Sequence, residues 1–222
     1  MTDKRVVIAG GHGKIAQHLT KLLTAQGDQA VALIRNPAHI DTVVALGALP
    51  KVVDMESASV DEVAATLEGA EAAVFAAGAG PGSTAERKDS VDRGAAKLLA
   101  DAAEKAGVKR FVLISSSSAG EPVPSDLDGT WRAYIEAKIA AEEDLSNRPD
   151  LDWTILRPGE LTDDSPTGHV VLSTPPLKRG TIPRADVAAV IAQLLDAPGT
   201  IGKTLMVASG DSLVDYAITA IQ

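Results

Sequence analysis

The chain has no cysteine among its 222 residues. That excludes disulfides, thiolate nucleophiles and thiolate-held metals together, and it fits a reducing, cytoplasmic compartment. Aromatic residues make up only 3%, so a core has to be assembled from Ala, Val, Leu and Ile. No apolar run is long enough to cross a bilayer, and Lys4 and Arg5 lead straight into a β-type run with no secretory pattern, so no membrane partner is expected. There is no block of Lys or Arg, and the formal net charge is −9. That is the wrong sign for a phosphate backbone, so no nucleic-acid partner is expected. The acidity serves solubility. The four histidines (His12, His18, His39 and His169) fall at no metal-ligand spacing, and no metal is expected.

What is present is a hydrophobic share of 45%, enough for the core of one domain. Apolar runs alternate with helical patterns from end to end. Arg5–Ala9 reads as a strand and Lys14–Gln26 as its helix; Gln29–Ile34 is a second strand, stopped by Asn36-Pro37. Lys51–Val53 and Glu71–Ala76 are the third and fourth strands, and Ser59 with Glu62 makes a capping box between them. A helix over Val91–Ala106 ends at Gly107, Arg110–Ser115 is the fifth strand, and Thr130 is the expected N-cap of a helix through Leu145. Asp152–Leu156 is the sixth strand; Val187–Leu195, Thr204–Val207 and Ser212–Ile221 complete the chain as helix, strand and helix. Repeated strand–helix units require a parallel sheet covered on both faces, because each crossover returns over the sheet. The expected fold is therefore α/β: one Rossmann-like, doubly wound domain over residues 1–222. The irregular Thr-, Ser-, Gly- and Pro-rich stretch 160–183 is expected to be a substrate loop or lid, part of a small C-terminal cap.

The first strand runs into Gly10-Gly11-His12-Gly13-Lys14-Ile15-Ala16. This is the strand–turn–helix context of a dinucleotide site: Gly10 turns the chain, Gly13 keeps side-chain atoms away from a diphosphate, and Ala16 packs close to the strand. The helix start offers free N–H groups and its positive end to that diphosphate, and His12 sits within the same turn. Arg35 ends the second strand about 20 residues further on, where an NAD enzyme carries an acid. An arginine there suits a 2′-phosphate, with Asn36 beside it, so NADP(H) is favoured over NAD(H). Asp54 and Met55 end the third strand, either as an adenine contact or as a simple loop aspartate and its neighbour. Ala76, Ala77 and Gly78 end the fourth, where small residues admit a flat ligand or make a tight turn.

Ser115, Ser116, Ser117 and Ser118 leave the fifth strand together, and Tyr134 and Lys138 follow on one helix face at i and i+4. A lysine near a phenol stabilises the phenolate, and such a tyrosine can exchange a proton with a substrate oxygen that a serine holds in place. Glu160, after Arg157-Pro158-Gly159, is either a group that directs a polar substrate, a second acid–base group, or a solvated loop glutamate.

Over nearly its whole length the chain resembles the atypical short-chain dehydrogenase/reductase family, in particular its small single-domain members related to flavin/biliverdin reductases and NmrA-like proteins. The glycine turn, Val91-Asp92-Arg93-Gly94-Ala95, Gly107-Val108-Lys109-Arg110-Phe111-Val112, Tyr134-Ile135-Glu136-Ala137-Lys138, Leu156-Arg157-Pro158-Gly159 and Arg184-Ala185-Asp186-Val187-Ala188 carry the resemblance. It implies a nicotinamide cofactor across the carboxyl edge of the sheet. Gly10, Gly11, His12, Gly13, Lys14 and Ile15 would hold the diphosphate, Arg35 and Asn36 the adenosine phosphate, and Asp54 and Met55 the adenine. Ala76, Ala77 and Gly78 would flank the ribose; Ser115, Pro158 and Gly159 would border the nicotinamide; and Lys138 would bond its ribose. Ser117, then Ser116, matches the catalytic serine, and Tyr134 is the proton donor; apart from the resemblance, Glu160 and Leu161 are the candidate substrate contacts at the start of the irregular stretch. Glu160 stands where flavin and biliverdin reductases of this type carry a histidine, so their substrates are not implied. The expected function is NADP(H)-dependent hydride transfer to or from a small carbonyl, alcohol or quinone-like molecule, in a monomer or small homo-oligomer. A non-catalytic NADP(H) sensor and a nucleotide-sugar epimerase or dehydratase are the alternatives; the second lacks room for the usual C-terminal substrate domain.

Overall fold

The computed structural model describes residues 4–80, 82–123, 128–178 and 180–221. Its strands are β1 (Arg5–Ala9), β2 (Gln29–Ile34), β3 (Leu49–Val52), β4 (Ala72–Phe75), β5 (Arg110–Ile114), β6 (Asp152–Pro158), β7 (Glu160–Thr162), β8 (His169–Ser173), β9 (Thr181–Pro183), β10 (Lys203–Ser209) and β11 (Ser212–Leu213). The helices are α1 (Lys14–Gln26), α2 (Ile40–Ala45), α3 (Val60–Thr66), α4 (Ala85–Arg87), α5 (Ala96–Ala106), α6 (Gly129–Ser146), α7 (Arg184–Leu194) and α8 (Val214–Thr219); a π-helical segment, Lys88–Ala95, joins α4 to α5.

The main sheet runs β3-β2-β1-β4-β5-β6-β10-β8-β11. It is parallel from β3 through β10, and β8 lies antiparallel to both β10 and β11. Along β1, Val6 and Ile8 enter one core and Val7 and Ala9 the other. A strand buried on both faces reads as an unbroken apolar run. The first core is closed by α1, α7 and α8, and the second by α3, α5 and α6. The chain moves outward from β1 to β3 and then returns to β1's other side at β4. This reversal opens a crevice at the carboxyl ends of β1 and β4, where α/β proteins bind ligands.

The α/β, doubly wound architecture is as expected, and the Ser59–Glu62 capping box is formed. Four local expectations differ. First, α6 is capped by Asp128, whose carboxylate accepts from the N–H groups of Thr130 (3.0 Å) and Trp131 (3.2 Å), so Thr130 lies inside the helix. Second, the helix expected at Val91 begins at Ala85 behind Thr84, and its π turn admits an extra residue per turn. Third, 160–183 is not uniformly irregular. His169–Ser173 alternates between exposed and buried side chains and joins the main sheet, because Val170 and Leu172 face the core. β7 and β9 pair as a separate two-stranded parallel sheet. Fourth, the last expected helix splits into β11 and α8.

Candidate active site

Two clefts open at the carboxyl edge. The ends of β1 to β4 line the first, of about 400 Å3. Gly10, His12, Gly13, Arg35, Asn36, Asp54, Met55, Ala76, Ala77 and Gly78 all stand on its walls. Gly10 has φ +78°, and a Cβ on it would lie 2.6 Å from Ala77 Cα, so glycine is what lets β1 and β4 approach. Gly11 plays a packing part: its N–H donates to the Leu33 carbonyl at 2.9 Å and a Cβ would meet Ala32. Gly13 is exposed and caps α1 through its backbone. As a glycine it has no side chain to cap the helix start, and no acid stands in the first turn. That open helix end suits a diphosphate, so the residues present fit a dinucleotide.

The charged groups of this cleft form a set that the sequence did not disclose. Glu56 accepts from Arg35 Nη1 (2.8 Å), Arg87 Nη2 (2.7 Å) and the Ser90 hydroxyl (2.6 Å). The Ser90 bond, then Arg87 and Arg35, hold its carboxyl below the usual range, against the opposing effect of burial. His12 and His39 stack with ring centroids 3.5 Å apart. Burial first, then the neighbouring His39, lowers the His12 pKa. Lys14 and Ile15 lie off the cleft walls: Lys14 pairs with Asp163, which also takes Arg184 at 2.8 Å, and Ile15 packs on the core.

The second cleft, of about 630 Å3, opens at the ends of β5 and β6. Ser115, Ser116, Ser117, Tyr134, Pro158, Gly159, Glu160 and Leu161 line it, with Trp131, which the sequence did not mark, and Thr181 and Arg184, which lay in singled-out segments without a role of their own. Tyr134 stacks on Trp131 at 5.0 Å. Gly159 meets Gly180 so closely that a Cβ would lie 2.1 Å from its carbonyl oxygen. The Ser115 hydroxyl is engaged by the buried Glu142, whose carboxylate also accepts from Arg157 Nε at 3.0 Å.

Lys138 lines neither cleft. Its ammonium is buried 3.1 Å from Asp92 Oδ1, donates to the Ile114 carbonyl at 3.2 Å and lies 5.9 Å from the centre of the Tyr134 ring. Glu142 stands four residues beyond Lys138, so helical spacing marks it; Asp92 and Arg157 lay within motifs already singled out, but without roles. The Arg35–Glu56–Arg87 meeting has no signal in the sequence.

A doubly wound sheet with an open helix end at its switch point defines an NAD(P)-binding protein of the oxidoreductase and epimerase-like kind. The chain belongs to the NAD(P)H-binding family, whose model matches residues 10–198. It is 30% identical to the "Uncharacterized sugar epimerase YhfK" of Bacillus subtilis, over 96% of this chain and 98% of that one. Among solved structures, it is similar to the "Putative NAD-dependent epimerase/dehydratase" of Bacillus halodurans (34% identity, TM-score 0.88, covering 98% and 99% of the two chains). It is also similar to ChuY, an anaerobillin reductase of Escherichia coli O157:H7 (25% identity, TM-score 0.78, covering 94% and 98%). Among the described residues no helix is long and apolar enough to cross a membrane, and no group of three or more His, Asp or Glu is placed to hold a metal.

Proposed function

We propose that the protein is an NADP(H)-dependent oxidoreductase acting on a small carbonyl, alcohol or quinone-like substrate in the cytoplasm. The observation that carries this reading is the adjacency of the two clefts. One holds the glycine turn and Arg35; the next, at the neighbouring strand ends, holds Tyr134, Ser116 and Ser117. The glycine turn and the start of α1 take the diphosphate, Arg35 and Asn36 the adenosine phosphate, and Asp54 and Met55 the adenine. Ala76, Ala77 and Gly78 flank the ribose, and Ser115, Pro158 and Gly159 border the nicotinamide end. The nicotinamide supplies or takes up the hydride. Tyr134 moves the proton at the substrate oxygen, which Ser117, with Ser116 beside it, holds in place. Lys138 acts from beneath Tyr134, anchored on Asp92 and Ile114. Glu160 and Leu161 meet the substrate, beside Thr181 and Arg184 on the same wall. The name of ChuY, a reductase, supports the reading.

The test is consumption of NADPH, followed at 340 nm, with a panel of small carbonyls and quinones. Net oxidation is expected, whereas an epimerase returns its cofactor to the starting redox state and gives none. Tyr134→Phe keeps the ring and should lower turnover by about 10²–10⁴-fold while sparing NADPH affinity. Wild-type turnover in that variant would remove Tyr134 from the chemistry. No turnover by the wild type with any substrate, despite tight NADPH binding, would favour a sensor.

A further inference from the structure

Glu56 follows β3 on an exposed turn, with its N–H on Asp54 Oδ1 at 3.1 Å. Its carboxylate accepts from two guanidinium groups that different elements bring to the first cleft. Arg35 directly follows β2, and Arg87 ends α4, beside the π segment. All three side chains line that cleft. Two cations and one carboxylate leave the cluster with a net charge of +1. The carboxylate also takes the Ser90 hydroxyl, which fills it with donors.

We propose that Arg35 and Arg87 are the two arms of a clamp for one phosphomonoester, and that Glu56 is the built-in anion that competes for it. The clamp refines the cofactor reading above and rests on it: choice of nucleotide belongs to three residues rather than to Arg35 alone. A phosphomonoester carries about −1.5 to −2 charge near neutral pH and three acceptor oxygens, so it can satisfy both forks together. A carboxylate, with one charge and two oxygens, does so less strongly. A 2′-phosphate entering the cleft therefore displaces the Glu56 carboxylate from between the two arginines. An unphosphorylated ribose leaves Glu56 in place, with its bonds to both arginines intact. Glu56 thus costs affinity for the phosphorylated nucleotide and favours the other, and the pair of arginines does the reverse. Arg87 reaches the cluster from a helix far along the chain, so only the fold assembles it.

The experiment is calorimetric titration of the full chain with NADP+ and NAD+. Glu56→Gln, Arg87→Ala and Arg35→Ala change exposed or half-exposed side chains and should fold, which circular dichroism checks. Glu56→Gln should tighten NADP+ by about tenfold and leave NAD+ unchanged or weaker. Arg87→Ala should weaken NADP+ by about tenfold with little effect on NAD+, and Arg35→Ala should do likewise. Equal losses for both nucleotides in Arg87→Ala, or unchanged affinities in Glu56→Gln, would overturn the clamp. If neither dinucleotide binds the wild type, the cofactor reading fails. The clamp is then tested alone with adenosine 2′,5′-bisphosphate against AMP. Preference for the bisphosphate that vanishes in Arg87→Ala supports it, and no preference overturns it.

Discussion

Removing the Lys138 ammonium would leave Asp92 as an unpaired carboxylate that is almost fully buried. Breaking one partner of a buried pair costs about 3–5 kcal/mol, whereas removing both costs far less. Lys138→Met should therefore lower the urea midpoint strongly, and Lys138→Met/Asp92→Asn should recover most of the loss. An unchanged midpoint in the single variant would show that the pair is not structural. Turnover lost in a Lys138 variant has to be read beside this effect. His12 offers a pH-dependent test. Its pKa is depressed in the fold, by burial and then by His39, so the unfolded chain takes up the proton first. Stability from this group is complete above the ordinary value of about 6.5 and is lost as pH falls from there through the folded-state pKa. Proton NMR should place the His12 midpoint below that of an unfolded peptide. His39→Ala should move it upward, and a midpoint that stays put would remove His39 as a cause.

At the scale of elements, α6 carries a polar stripe. Tyr134, Lys138 and Glu142 repeat every four residues, and the last two are pinned to consecutive residues at the end of β5, Ile114 and Ser115. Arg157 ties the end of β6 to the same Glu142 and lies so close to Gly120 that a Cβ there would sit 2.6 Å from Nη1. These contacts place the serine turn against the helix bearing Tyr134. The segment 160–183 has its own anchor. Asp186, buried in the first turn of α7, accepts from Thr167 N (2.9 Å), Thr167 Oγ1 (3.0 Å) and Gly168 N (3.0 Å). Asp186→Ala removes all three bonds. Net losses per bond of about 1 kcal/mol predict destabilisation of a few kcal/mol, together with faster proteolytic cutting between β7 and β8. Cutting at the wild-type rate would mean that the turn is held elsewhere.

For the whole molecule, a ligand that binds only the folded state adds about 2.7 kcal/mol at a hundredfold excess over its Kd. NADPH should therefore raise the melting temperature. Gly13→Val should abolish that rise, because its branched side chain would enter the mouth of the first cleft, while the unliganded melting temperature changes little. Gly13 has an ordinary extended φ of −62°, although a Cβ 3.1 Å from the Gly10 carbonyl oxygen asks a small adjustment. Retained stabilisation by NADPH in that variant would make the turn purely structural.

Strand–helix alternation, the glycine turn and the small residues at the strand ends were legible in the sequence, because each is a local property of consecutive residues. Unbroken apolar runs such as Val6–Ala9 declare a strand buried on both faces, and the repeat of units declares a parallel sheet. β8 was legible in principle from the alternation of His169–Ser173, but the Pro- and Thr-rich surroundings masked it. What the linear order could not show was which side chains meet across the sheet edge. Arg35, Glu56 and Arg87 come from three separate segments, and Lys138 finds Asp92 only because the π turn faces that residue inward. Sequence spacing placed Tyr134 and Lys138 on one helix face. Tertiary packing decided that the tyrosine lines a cleft while the lysine is buried behind it, because burial and charge pairing depend on every element around a residue.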